Sequence, residues 1–202
     1  MIFTPISFPD EKIHYLTPGW DDLNQLAFTL AKAMIKAGEK LDRIITLAKG
    51  GWPMTRSLVD FLSLEKVASL GIKFYSGINR TFAKPKIYQD LPVKVTGENI
   101  LLFDDVTDTG HSLKFTQTHL KAKGAKTITT ATLFYKPRSV IKPDYFGFTT
   151  DAWIIFPYEV VEAMKSLANK WAGRGVTQTA IQTRFVKLNF PRAIIKFYGS
   201  KI

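Results

Sequence analysis

The chain has 202 residues, 46% of them hydrophobic, enough to bury one real core with a small appendage, and no apolar run approaches the roughly 20 residues of a membrane span. It contains no cysteine, which excludes disulfides, thiolate metal sites and cysteine nucleophiles and agrees with a reducing cytosol. The net charge of +11 suits an anionic partner, either nucleic acid or phosphorylated small molecules; the basic residues are spread without a long run, which favours the small molecule.

Met1 to Gly19 lacks a basic region followed by an apolar stretch, so no signal peptide is expected, and a cytoplasmic location is the expectation. Thr17-Pro18 reads as a helix N-cap with proline at the first helical position. Leu23, Leu26, Ala27, Leu30, Ala33, Met34 and Ala37 then recur at helical spacing until Gly38. Arg43 to Ala48 reads as a buried strand, Lys49-Gly50-Gly51 as a turn, and a helix follows to about Leu62. A second strand lies within Val67 to Tyr75. Ser76 to Glu98 shows no periodicity, and so long a loop inside a compact domain is usually functional or mobile. Asn99 to Phe103 is a third strand, Ser112 to Lys123 a helix closed by Gly124, and Thr127 to Phe134 a fourth strand. Ala152 to Phe156 is a fifth strand and Val160 to Trp171 a helix. From Gly173 the pattern changes to two short helices, Thr177 to Asn189 and Pro191 to Tyr198, joined at Phe190-Pro191. Strands alternating with helices imply an α/β domain over 1–172 with a mostly parallel sheet flanked by helices, and a helical appendage over 173–202. Such sheets bind ligands beyond the carboxyl ends of their strands.

The most informative stretch is Leu101-Leu102-Phe103-Asp104-Asp105-Val106-Thr107-Asp108-Thr109-Gly110-His111-Ser112-Leu113. An apolar run ends in two adjacent carboxylates, then a Thr/Asp/Gly loop leads into a helix. Backbone N–H groups at a helix N-terminus suit a phosphate, and paired carboxylates suit hydroxyls or a metal ion. A ligand with phosphate at one end and sugar hydroxyls at the other is a ribose 5-phosphate. The string resembles the 5-phosphoribosyl-1-pyrophosphate (PRPP) signature of type I phosphoribosyltransferases. Upstream, Lys49-Gly50-Gly51 is similar to that family's pyrophosphate loop, where a basic residue precedes Gly-Gly and often follows a cis peptide. Downstream, Lys136 follows an apolar run, and Trp153-Ile154-Ile155-Phe156-Pro157-Tyr158-Glu159 follows Pro143-Asp144-Tyr145-Phe146. Trp153 has the flat apolar face a base needs. Lys136 can donate to a 6-oxo group and would find no acceptor on the amino group of adenine. This set resembles the 6-oxopurine branch, closest to its microbial xanthine-guanine members.

The resemblance implies a mostly parallel sheet with a mobile lid loop, here Tyr75 to Pro92 with Arg80, Lys84 and Lys86. It implies that Asp104 and Asp105 bind the ribose hydroxyls, directly or through Mg2+, and that Glu159 lies near a second Mg2+. Thr107, Asp108, Thr109, Gly110, His111 and Ser112 would hold the 5-phosphate, His111 through its backbone alone. Asp108 would be the catalytic proton-transfer group at N7 of the base, Lys49, Gly50 and Gly51 would bind pyrophosphate, and Lys136, Trp153 and Ile154 would bind the base. The implied activity is pentosyl transfer in purine salvage, from PRPP to N9 of guanine, hypoxanthine or xanthine, in a homodimer or homotetramer. Two alternatives stay open: a PRPP- or nucleotide-binding transcriptional regulator on the same fold, and a phosphoribosyltransferase for another base. The C-terminal helices carry Arg174, Arg184, Lys187, Arg192, Lys196 and Lys201, which could imitate a DNA-binding unit; their apolar side favours packing or dimerisation instead.

Overall fold

The computed structural model describes residues 3–75, 84–199 and 201. In chain order the elements are β1 (Tyr15–Leu16), α1 (Trp20–Lys36), β2 (Arg43–Ala48), α2 (Trp52–Phe61), β3 (Lys66–Tyr75) and β4 (Lys84–Gln89). There follow β5 (Asn99–Thr107), α3 (His111–Ala122), β6 (Thr127–Tyr135), β7 (Tyr145–Thr149), β8 (Trp153–Ile154), α4 (Val160–Ala172), α5 (Gln178–Lys187) and α6 (Arg192–Tyr198). The chain divides into two compact units, one of Met1–Asp22 with Asp151–Ile202 and one of Leu23–Thr150.

The larger unit is built on a six-stranded sheet in the order β4-β3-β2-β5-β6-β7. All its pairings are parallel except β3–β4. Parallel neighbours need crossover connections, which α2 supplies between β2 and β3 and α3 between β5 and β6. The central strands carry long apolar runs because both their faces are covered: Ile44, Ile45, Ile100, Leu101, Leu102 and Phe103 are all fully buried. From β2 the chain moves towards β3 and β4, and from β5 it moves the other way, towards β6 and β7. The crevice between β2 and β5 is therefore the topological switch point, where ligands bind in open α/β sheets.

In the smaller unit β1 and β8 pair in parallel as a separate two-stranded sheet. Its apolar core gathers Phe8 and Tyr15 from the N-terminal segment, Met164, Leu167 and Trp171 from α4, and Ile181, Phe185 and Leu188 around α5. The two C-terminal helices form as expected, and they share this core with α4 rather than standing apart from residue 173.

Five sequence expectations shift. α1 starts at Trp20, not beside Thr17-Pro18, because the Asp22 carboxylate reaches back to the Gly19 N–H at 2.8 Å and caps the first turn. β5 does not stop at Phe103 but runs through both acids to Thr107, held by its ladder to β6. The stretch expected as a loop contains β4, an edge strand whose Pro85 and lysines suit an edge position and hide its alternation. Of the expected lid, residues 76–83, Arg80 among them, lie outside the described residues. β7 arises in what reads as a polar loop, and the fifth expected strand is the short β8, which pairs with β1 and not with the main sheet.

Candidate active site

Because β2, β5 and β6 are adjacent and parallel, their carboxyl ends reach the same rim of the sheet. β2 delivers Lys49-Gly50-Gly51, β5 delivers the acids and the loop to α3, and β6 delivers Lys136. The sequence places these three motifs far apart, and the topology brings them side by side.

Successive residues of a strand face opposite sides, so Asp104 and Asp105 meet different loops, although their carboxyls stay close enough to interact. Asp105, only 8% exposed, packs against Gly50: a Cβ at Gly50 would come within 2.6 Å of the Asp105 carboxyl carbon. Glycine is required at 50 by this close approach. The peptide bond between Ala48 and Lys49 is cis, as the resemblance implied, and Lys49 is exposed. Asp104 borders a small cavity of about 80 Å3 that it lines with Thr107, Asp108, Thr109, Gly110 and Ser112. Its Oδ1 accepts from the Asp105 N–H at 2.9 Å. Burial and the neighbouring Asp105 charge push the Asp104 carboxyl well above the usual carboxylate range. Two like charges side by side mark a place prepared for a cation or for several donors.

The cavity's far wall is the start of α3. Its N-cap, Gly110, sits at φ +78°, and no side chain caps the helix. The first intrahelical bond runs from the Lys114 N–H to the Gly110 carbonyl at 3.0 Å. The amides ahead of it, at His111, Ser112 and Leu113, belong to the first turn of the helix, the end that favours an anion. His111 stands exposed as the first helical residue.

Lys136 is 5% exposed, so it is no solvated surface lysine. Its N–H donates to the Thr107 carbonyl at 3.0 Å, and its Nζ lies 3.4 Å from Asp108 Oδ2. The expected base lysine and proton-transfer acid thus converge. The sequence reading missed the loop that follows. Val140 N–H donates to the Thr109 carbonyl at 3.0 Å, stitching this loop to the loop between β5 and α3. Arg138 donates through Nε to Asp108 Oδ1 at 3.0 Å, and through Nη2 to the same oxygen. An arginine two positions beyond Lys136 carries no signal until the turn that returns it to Asp108 is known.

The remaining expected residues lie in the smaller unit. Trp153 is half-buried, its ring tilted against Tyr15 at a centroid distance of 5.7 Å. Trp153 and Ile155 N–H groups bond to His14 and Leu16 carbonyls, both at 2.8 Å, so the alternation directs the Ile154 backbone groups away from β1. Glu159 precedes α4, and its Oε1 accepts from the Phe156 N–H at 3.1 Å. Among the described residues no group of three or more His, Cys, Asp or Glu gathers as a metal site. Asp104 and Asp105 nonetheless suit Mg2+, a hard ion that takes one or two carboxylates and completes its shell with water and substrate phosphate oxygens.

A family model described as phosphoribosyl transferase domain matches residues 19–163. The chain is 24% identical over 151 residues to a xanthine-guanine phosphoribosyltransferase of Gluconobacter oxydans, covering 74% of this chain and 87% of that one. It is 26% identical over 145 residues to a hypoxanthine-guanine phosphoribosyltransferase of Lactococcus lactis, covering 69% and 79%. Among solved structures, a purine phosphoribosyltransferase from Pyrococcus horikoshii superposes with a TM-score of 0.66 at 32% identity, over 71% of this chain and 93% of that one. The chain therefore belongs to the phosphoribosyltransferase family, as an enzyme of the type I class whose relatives are named for 6-oxopurines.

Proposed function

We propose that the protein transfers the 5-phosphoribosyl group of PRPP to N9 of guanine, hypoxanthine or xanthine. The observation that carries this reading is the convergence of three motifs at the ends of the adjacent strands β2, β5 and β6. In the reaction the C1–O bond to the diphosphate breaks and its electron pair leaves with pyrophosphate. N9 bonds to C1, and the purine gives up the proton on N7. Lys49 and the Gly50-Gly51 backbone face the developing charge on the leaving group. Asp104 and Asp105 hold the ribose hydroxyls, and the 107–112 loop holds the 5-phosphate, so that the partners are oriented before bond breaking. Asp108 takes the N7 proton. Mg2+ held by Asp104 and Asp105 would supply charge neutralisation for the diphosphate. Within their own unit, Trp153 and Ile154 offer an aromatic face and outward backbone groups of the kind a purine ring and its edge require.

Lys136 carries the choice of base. Its ammonium donates to a 6-oxo group, whereas the amino group of adenine offers it no acceptor. A buried polar group left unpaired costs about 1–3 kcal/mol, more for a charge, so adenine should be turned over at least tenfold more slowly. The test is PRPP-dependent turnover across adenine, guanine, hypoxanthine and xanthine. Adenine turnover equal to guanine overturns the role of Lys136, and no turnover with any base overturns the enzymatic reading in favour of a PRPP-binding regulator.

A further inference from the structure

Arg138 lies outside every motif that assigned the site, yet it makes the closest contacts to the proposed proton acceptor. Both its Nε and its Nη2 donate to one oxygen, Asp108 Oδ1. A carboxylate oxygen has two lone pairs, so two N–H donors saturate it. Among the described residues the other oxygen, Oδ2, faces the Lys136 ammonium at 3.4 Å, beyond a good hydrogen bond. The two oxygens of Asp108 are therefore unequal, and the one left with accepting capacity is on the side of the lysine that reads the base. Burial does not fix the carboxylate, because the Asp108 side chain is 44% exposed. What holds its rotation is the pair of arginine donors converging on one oxygen, with the Lys136 ammonium on the side of the other. The loop that carries Arg138 is itself anchored, by the turn from Ser139 N–H to the Lys136 carbonyl at 3.0 Å and by the Val140 bond to Thr109.

We propose that Arg138 is a positioning residue for base chemistry: it occupies Asp108 Oδ1 and thereby presents Oδ2 to the purine N7–H. This deepens the phosphoribosyl-transfer reading and rests on it. Arg138 touches no reacting atom in this scheme, so its loss should appear in turnover and not in PRPP binding.

The experiment is steady-state kinetics on the purified full chain, with the base that wild type uses best. Arg138→Met should lower kcat on the order of tenfold and leave the KM for PRPP within about twofold. Arg138→Lys keeps the charge but loses the pair of planar donors and should fall between, about threefold down. In an Asp108→Asn background the Arg138→Met change should have almost no further effect, since residues acting through one another are not additive. The Arg138 side chain is 58% exposed, so the substitutions should leave the melting temperature in place. Wild-type kcat in Arg138→Met, or an equal loss with and without Asp108, overturns the positioning role while leaving phosphoribosyl transfer standing. A wild-type protein without turnover on any base overturns both.

Discussion

The two rims of the main sheet differ in one electrostatic respect: among the described residues, only one of them sets two acids side by side. At the amino ends of β2, β3 and β5, charges meet their opposites. Arg43 Nε and Nη2 grip Glu98 at 2.6 and 3.0 Å, and Lys66 adds a contact at 3.2 Å. Asp42 accepts from the Asn99 backbone and side-chain N–H groups at 2.7 and 2.8 Å. The Arg43 guanidinium holds the Glu98 carboxyl below its ordinary range. At the carboxyl ends, Asp104 and Asp105 stand side by side and the Asp104 carboxyl is pushed up. One rim fixes strand register with satisfied pairs. The other sets a raised Asp104 carboxyl beside Asp105, next to the pairs that Asp108 makes with Lys136 and Arg138, and a carboxyl raised in this way marks a site of function rather than of stability.

The largest expected effect breaks this contrast at the carboxyl rim. Replacing both acids, Asp104→Asn with Asp105→Asn, removes two charged hydrogen-bonding groups worth about 1.5–3 kcal/mol each to a ligand. PRPP binding measured by calorimetry with Mg2+ should weaken about 100-fold or more. The melting temperature should hold or rise, because the repulsion goes with the charges. Retained PRPP affinity with a fallen melting temperature would reverse the roles assigned to the two rims.

The next effect sharpens the contrast with glycine. Gly110 lies at φ +78° in the loop before α3, and a Cβ there would strike Ser139 Oγ and come within 2.7 Å of Ile141 Cγ2. Gly97, at φ +76° on the other rim, has nothing within 4 Å. Gly110→Ala carries both left-handed strain, about 1 kcal/mol or more, and overpacking of about 1–3 kcal/mol. Gly97→Ala carries the first alone. Urea unfolding should separate them, with Gly110→Ala destabilised by about 2–4 kcal/mol and Gly97→Ala by about 1 kcal/mol. Equal losses would mean that the loop 138–141 yields to the extra carbon, and that its stitching to the loop before α3 is soft.

The sequence made the carboxyl rim legible because its motifs are local. Asp104 to Ser112 is contiguous, and Lys49-Gly50-Gly51 sits between an unmistakable strand and helix. The central strands β2 and β5 were legible for a similar reason, through the buried apolar residues Ile44, Ile45 and Ile100 to Phe103. What stayed hidden depends on distant partners. β4 and β7 are edge strands, whose half-exposed residues dilute any alternation. β8 is two residues long and is a strand only because Tyr15 and Leu16 lie beside it. Arg138 reads as one more surface cation until the turn after Lys136 folds it back onto Asp108.

The smallest expected effect tests the amino rim by pH. Glu98 has its carboxyl lowered from the ordinary 4.5, first by the hydrogen bond from Arg43. A carboxylate with a depressed folded value contributes stability above its unfolded value and loses it as pH falls through the folded one. The Glu98 side chain is 16% exposed and Arg43 11%, so the pair lies between a surface bridge and a buried one. Glu98→Gln should therefore cost about 1 kcal/mol at neutral pH, with turnover unchanged. The gap to wild type should stay constant down to about pH 5.5 and close as acid protonates the wild-type carboxylate. Asp104 acts with the opposite sign: its raised value gives a contribution fully present below the ordinary 3.8 and lost as pH rises through the folded value. In chemical unfolding at a series of pH values, Glu98→Gln should thus flatten the acid limb, and Asp104→Asn should remove a decline on its alkaline side. A Glu98→Gln gap that widens on acidification would mean that Glu98 is held by something other than Arg43 and Lys66, and the two rims would no longer differ in kind.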